Sequence, residues 1–215
     1  MLQMFTLLLL LTFPFLSGAA DVQTRANGNS QVVVSVYNDA KMSMRDLAGA
    51  ESWASNILWQ AGLNLVWRNC GHGAGHITRH VDCDSPGRIA LRIIPGPAHP
   101  TQDSIFGVAF LASDGTGKYG DVFYQPAVQL HKELGVRLAD VMGGVVAHEI
   151  GHLLLGSHAH ASAGIMRAQW HGEDLHKLVK GELLFTAEQA AQMRTTVARN
   201  QQTLETQLEL NQGSY

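Results

Sequence analysis

Four histidines and one glutamate fall within the thirteen residues HEIGHLLLGSHAH, positions 148–160. Residues four apart lie on the same face of an α-helix, so His148 and His152 present their imidazoles side by side, at a spacing that suits one tetrahedral metal ion. Glu149 lies beside them, where a carboxylate can take a proton from a bound water and later return it to a leaving amine. The pattern predicts a catalytic zinc site.

A catalytic zinc takes three protein ligands and keeps one position for water, so a third ligand is needed. After His152 the chain reads Leu-Leu-Leu-Gly156-Ser-His158-Ala-His160. The glycine predicts that the chain leaves the helix through a left-handed turn, after which a histidine can return to the ion. The alternative interpretation, ordinary partly buried histidines, is disfavoured by the apolar helical residues around the motif.

With these residues the chain resembles the metzincin metalloproteases, whose motif HExxHxxGxxH is followed by a methionine turn. Here the motif reads His148-Glu149-Ile-Gly-His152-Leu-Leu-Leu-Gly156-Ser-His158, and Gly164-Ile165-Met166 follows. The segment GVAFLASDGTGKYGDVFYQ, residues 107–125, is more loosely similar to a strand, loop and strand of matrixin-type domains. The resemblance implies a zincin-like peptidase fold, with Met166 packed beneath the ligand imidazoles.

The chain departs from the family motif at the glycine, which lies one position late because Leu155 occupies the family's glycine position. We therefore expect the helix to run one residue longer. The intervals from His152 and to Met166 favour His158 as the third ligand, with His160 as the alternative. The histidine that does not bind zinc would then lie beside the site.

The motif thus predicts a zinc-dependent endopeptidase with one catalytic Zn²⁺ and a peptide or protein substrate, in which Glu149 acts as general base and then as general acid. An apolar N-terminal segment, residues 5–16, predicts that this enzyme is exported. One alternative is a catalytically silent zinc-containing module that binds peptide or surface polymer. The intact Glu149 argues against it, because a binding site needs no base. The other alternative is an exported protein that sequesters metal through a histidine-rich loop.

That loop contains His72, His76 and His80, which recur every four residues. On a helix they would form a second metal-binding face. The glycines around them disfavour a helix, so we expect a solvated loop instead.

The only two cysteines, Cys70 and Cys83, enclose the same loop. An even number of cysteines in an exported chain predicts a disulfide between them. The alternative is that one of them is a thiolate that inhibits a metal centre.

Export is predicted by an apolar run over residues 5–16, followed by Ser-Gly-Ala-Ala. The run is shorter than the roughly 20 residues of a membrane-spanning helix, which indicates a signal peptide over residues 1–20. Residues 21–30 would form a flexible lead-in and residues 31–215 a single domain. The expected location is secreted or periplasmic.

The charge balance gives no sign of a nucleic-acid or membrane-surface partner. Fifteen Lys and Arg oppose eighteen Asp and Glu, for a formal net charge of −3. A chain of this balance is not expected to bind nucleic acid. The mature chain contains no second long apolar stretch, so we expect no membrane span in it. We also expect the mature chain to be a monomer.

The elements that must position these residues follow from the hydrophobic periodicity. Strands are predicted over residues 31–37, 63–67, 88–94, 106–111 and 121–124, and helices over Ser43 to Gly62, about Arg137 to Gly156, and Thr186 past Leu204. The order predicts an α+β (mixed α/β) domain: a twisted five-stranded mixed sheet with a crossover helix, a central metal-binding helix and a C-terminal helix.

The fourth strand is the predicted substrate-binding edge, through Gly107, Val108 and Ala109. An extended peptide can pair with an exposed sheet edge through main-chain hydrogen bonds. The alternative is a plain edge strand covered by a loop.

Overall fold

The structure, a computed structural model, describes residues 30–71, 83–97, 106–157 and 159–212. Within these ranges the elements are β1 (Ser30–Asn38), α1 (Met44–Gln60), β2 (Leu63–Asn69), β3 (Ile89–Ile94), β4 (Gly107–Leu111), β5 (Gly117–Phe123), α2 (Tyr124–Leu134), α3 (Leu138–Leu155), α4 (Gly172–Val179) and α5 (Ala187–Gln212). The predicted signal peptide, the histidines of the predicted loop at 72, 76 and 80, and His158 lie outside the described residues.

The five strands form one mixed sheet in the order β2-β1-β3-β5-β4. The first four of these are mutually parallel, and β4 runs antiparallel to β5 at the edge of the sheet. Helix α1 connects the parallel pair β1 and β2, as a crossover helix must. The predicted five-stranded mixed sheet and mixed α/β class are therefore confirmed.

The sequence places β5 too late. The strand starts at Gly117, four residues before the predicted start at Asp121. Gly117 and Gly120 have low strand propensity and obscure the pattern, whereas pairing with β3 and β4 on either side imposes the extended conformation.

Helix α3 forms the centre of the core. It is long and apolar enough to cross a membrane by length and composition, but 72% of it is buried inside the domain, as in a core helix. It packs against α1, where Gly143 allows a close approach: a Cβ at this position would lie 2.5 Å from Trp53 Cβ and 2.7 Å from the Ala50 carbonyl oxygen.

Substituting Gly143 with alanine should therefore lower the free energy of unfolding, by about 1–3 kcal/mol for overpacking. The loss is expected although alanine is the better helix former by roughly 1 kcal/mol. Urea unfolding measures it. Gly172→Ala is the matched control, because a Cβ there meets no atom within 4 Å of the described structure. Equal stability of the two variants would show that α1 and α3 can separate at little cost.

Helices α2 and α4 were not predicted from the sequence. Helix α2 fully buries only Ala127, and Tyr124 and Leu130 pack on the core half-buried, so the apolar face that could indicate the helix is short. Helix α4 has eight residues and begins with Gly172. The C-terminal helix was predicted correctly. Its start is closed by a capping box, since Thr186 N donates to Gln189 Oε1 and Gln189 N to Thr186 Oγ1.

The predicted disulfide is confirmed between Cys70 and Cys83. Ser35 Oγ on β1 donates a hydrogen bond to the Cys83 carbonyl at 3.3 Å, which attaches the bridge to the sheet. Because both sulfurs are in the bridge, the alternative of an inhibitory thiolate is wrong.

Candidate metal centre

Three histidines converge at one end of the cleft between α3 and the sheet edge. His152 Nε2 lies 3.0 Å from His148 Nε2 and 3.1 Å from His160 Nε2. Imidazole nitrogens at about 2.0–2.1 Å from a tetrahedral zinc lie about 3.3 Å apart. The three side chains therefore could hold one metal ion.

The tautomer of His148 is set by the backbone. Its Nδ1 lies 2.7 Å from the Ile165 carbonyl oxygen, which can only accept a hydrogen bond. Nδ1 therefore carries the proton, and the Nε2 lone pair is directed at the other two histidines. If His152 Nε2 carried a proton, it could donate a hydrogen bond to only one of the two neighbouring Nε2 atoms. A metal cation, in contrast, could be bound by all three Nε2 atoms.

Burial keeps His148 and His152 neutral. Desolvation lowers the pKa of His148 to about 4, opposed by the hydrogen bond to Ile165. Desolvation likewise lowers the pKa of His152 to about 4, with smaller contributions from the neighbouring histidines. Metal ligands must be deprotonated, so the pair is ready to bind at neutral pH.

His160, the alternative third ligand in the sequence analysis, is the histidine that the structure brings to this cluster. His158, which the motif spacing favours, lies outside the described residues. Helix α3 ends at Leu155, as expected from the late glycine. The expected left-handed turn is wrong: Gly156 has φ 83° and ψ −161°, a positive-φ conformation outside the left-handed helical region and open essentially to glycine alone.

The methionine of the predicted turn is fully buried against α3. A Cβ on Gly151 would lie 2.5 Å from Met166 Sδ, so the thioether packs against the helix directly before His152. Ile165 N donates to the Leu184 carbonyl at 3.0 Å, which secures the turn to the chain that follows α4. The same turn thus supplies the Ile165 carbonyl that orients His148.

Glu149 points into the cleft from a buried position, with 4% of its surface exposed. Among the described residues, its Oε2 has no hydrogen-bond partner. Burial raises the pKa of this carboxyl to about 8. A Cβ on Gly107 would lie 2.6 Å from Glu149 Oε1, so the carboxylate occupies the space between α3 and β4. A cation bound by the neighbouring histidines would stabilise the ionised form.

The burial of the Glu149 carboxyl leads to a prediction for the metal-free protein. Its pKa rises from 4.5 to about 8 on folding, so its contribution to stability is present below pH 4.5 and is lost as the pH rises through 8. In the presence of a chelator, the Glu149→Gln variant should be as stable as the parent near pH 4.5. Above pH 8 the variant should be more stable than the parent by a few kcal/mol. Urea unfolding across this range measures the difference. A constant difference would show that Glu149 is solvated.

The cluster and Glu149 open into a cavity of about 730 Å³, a size typical of ligand sites. Its other walls are residues 106–109 on the sheet side and 167–171 beyond the methionine turn. Val145, one helical turn before Glu149, also lines it. Helical spacing from the motif was enough to predict this position, although the sequence analysis did not select it.

Trp170, four residues after Met166, closes one side of the cavity. Its ring stacks on Phe106 at 6.4 Å between centroids and meets His148 edge-on at 5.9 Å. Its Nε1 donates to the Ile165 carbonyl at 3.1 Å, the oxygen that also accepts from His148. No sequence pattern marked Phe106 as a residue of the cavity, because its position there depends on stacking with Trp170, which lies 64 residues away in the sequence.

The edge strand β4 forms the opposite side of the cavity. Phe123 N donates to the Phe106 carbonyl at 2.7 Å, and such bonds alternate along an antiparallel pair. With the observed register, Val108 bonds toward β5, whereas the amides of Gly107 and Ala109 point away from it. The predicted edge residues Gly107, Val108 and Ala109 thus line the same cavity as Glu149. The main-chain groups of Gly107 and Ala109 point away from β5, toward the open edge of the sheet.

No protein-family model and no curated protein sequence matches this chain. Among solved structures, the chain is similar to a zinc-dependent peptidase from Methanocorpusculum labreanum (strain Z), with a TM-score of 0.50 and 15% identity. The match covers 74% of this chain and 99% of the other. At this identity the likeness concerns the fold, and it agrees with the zincin-like architecture implied by the motif.

Proposed function

We propose that the chain is a zinc-dependent peptidase in which His148, His152 and His160 hold one Zn²⁺. The observation that carries the proposal is the convergence of three imidazole nitrogens beside a buried carboxylate, in one cavity bordered by an edge strand. The similarity of the fold to that of a zinc-dependent peptidase supports it. When bound, zinc would supply a Lewis acid for a carbonyl and lower the pKa of water.

Glu149 would move the proton. Its Oε2 is buried and has no hydrogen-bond partner in the part of the chain that the structure describes, and Glu149 lies on the helix that carries two of the histidines. A carboxylate in this position can accept a proton from the attacking water and deliver it to the leaving amine. Burial raises the pKa of this carboxyl in the metal-free chain, and a cation held by the histidines would oppose that rise and keep the carboxylate ionised to accept the proton.

The substrate would be an extended polypeptide that pairs with β4. Gly107 and Ala109 direct main-chain groups away from β5, so a peptide can add to this edge as a further strand. The strand passes Glu149 at Gly107, which would bring a bound peptide bond to the carboxylate. Because such pairing uses an internal stretch of chain, it favours an endopeptidase.

Export of the enzyme belongs to the same proposal. The apolar segment at residues 5–16 and the disulfide between Cys70 and Cys83 both fit an oxidising compartment outside the cytoplasm. The metzincin subtype is proposed on the motif and the methionine turn, with the extra residue before Gly156 as this chain's own variation.

The test is metal content together with cleavage of casein as an unstructured substrate. The parent protein should contain about one zinc per chain, lose cleavage in chelator and regain it with added zinc. Zinc without cleavage would favour the zinc-containing binding module. Several metal ions per chain would favour the metal-sequestering alternative. The absence of bound zinc would overturn the proposal.

A further inference from the structure

His160 differs from the other two histidines because no helix holds it. It lies between Gly156 and Gly164, in a segment outside the helices and strands of the described chain. Ordering such a segment around a ligand costs conformational entropy. One backbone contact restrains it: Ala161 N donates to the Met166 carbonyl at 2.9 Å.

A second restraint comes from the side chain of Arg167. Its Nε donates to the Ser162 carbonyl at 2.9 Å, and Nη2 donates to the same oxygen. On its other side, Nη1 donates to Asp174 Oδ2 at 3.2 Å. The guanidinium therefore connects the segment that follows His160 to helix α4.

Asp174 gives this connection a rigid base. The carboxylate is buried, and the same Oδ2 accepts from His171 N at 2.9 Å, which caps α4. The helix in turn packs on α3, since a Cβ on Gly144 would lie 2.7 Å from Leu178 Cδ1. The path from Ser162 through Arg167 to α4 thus ends on the helix that carries His148 and His152.

We propose that Arg167 and Asp174 are positioning residues that hold His160 at the metal, acting through the carbonyl of Ser162. The inference rests on the proposed zinc site. Supporting residues around metal ligands typically contribute about 10–100-fold to metal affinity. Arginine suits this role because its planar fork donates to two acceptors at once, whereas a lysine ammonium is a single point charge.

The test measures zinc affinity by chelator competition at neutral pH, with the visible spectrum of the cobalt-substituted protein as a second readout. Arg167→Met should bind zinc about 10–100-fold more weakly and alter the cobalt spectrum. Arg167→Lys should recover little of the loss. Arg92→Met is the matched control, because Arg92 pairs with Asp121 on the sheet surface, and it should bind zinc like the parent.

Dependence on His160 is tested in a double variant. In the His160→Ala background, Arg167→Met should cause no further loss of zinc affinity, because the arginine acts only through that histidine. An equal loss in both backgrounds would overturn the inference, as would parental affinity and an unchanged cobalt spectrum in Arg167→Met.

If Arg167→Met does not fold, Asp174→Asn replaces it, since the amide oxygen keeps the acceptor for His171 N. The same 10–100-fold loss is expected, and parental affinity in that variant would overturn the inference. A parent protein that binds no zinc would overturn the proposed function and this inference with it. A parent that binds zinc, with unaffected Arg167 and Asp174 variants, would overturn the inference alone.

Discussion

Glu149→Gln should lower the rate of peptide hydrolysis by about 10²–10⁴-fold while the protein keeps its zinc. The amide has nearly the size of the carboxylate, so it fits the same space beside Gly107, but it cannot accept a proton from water. The three imidazoles that would bind the metal are untouched. The measurement is kcat on casein or a derived peptide, with zinc content determined on the same sample.

The control for this variant is Glu188→Gln, at an exposed site in the first turn of α5. It should cleave as fast as the parent. Parental activity in Glu149→Gln would refute the assignment of the proton-transfer role. Loss of zinc in that variant would instead indicate that the carboxylate belongs to the ligand set.

The second large effect is expected at the third ligand. His160→Ala should weaken zinc binding by more than the ~10–100-fold typical of a supporting residue, because a nitrogen of the cluster itself is removed. Cleavage should fall with zinc occupancy. Chelator competition and metal analysis measure the change.

Two histidine variants are controls for that measurement. His171→Ala alters a side chain of the same cavity that is not in the three-histidine group, so zinc should be retained. His158→Ala tests the ligand favoured by motif spacing. Retention of zinc in His160→Ala together with its loss in His158→Ala would reverse the assignment of the third ligand.

The third histidine of the cluster could not be identified from the spacing of residues in the sequence. In a helix the separation of two side chains follows from the residue count, so His148 and His152 could be paired without a structure. Beyond Leu155 no such relation holds. The position of His160 depends on the positive-φ conformation of Gly156 and on hydrogen bonds to Met166 and Arg167, which the count of residues does not contain.

The missed helices and the shifted strand have a related cause. Periodicity reports a face that is buried against the rest of the protein, and in α2 this face is short, with Ala127 buried and Tyr124 and Leu130 half-buried. For β5, the two glycines weaken the local signal, and pairing on both sides decides the conformation. Local patterns were sufficient for α1 and α3, which have long apolar faces, and for α5, whose first turn is capped locally, but they were insufficient for α2, α4 and the start of β5.

By itself the sequence determined the helical pair of histidines with its glutamate, the pairing of Cys70 with Cys83, and the five strands of a mixed sheet. These depend on spacing, on composition, or on periodic burial, all of which are local. Only the tertiary structure decided that His160 meets the pair, that Glu149 is buried against Gly107, and that Ile165 orients His148. Each of these joins residues from different elements, so their geometry arises from packing.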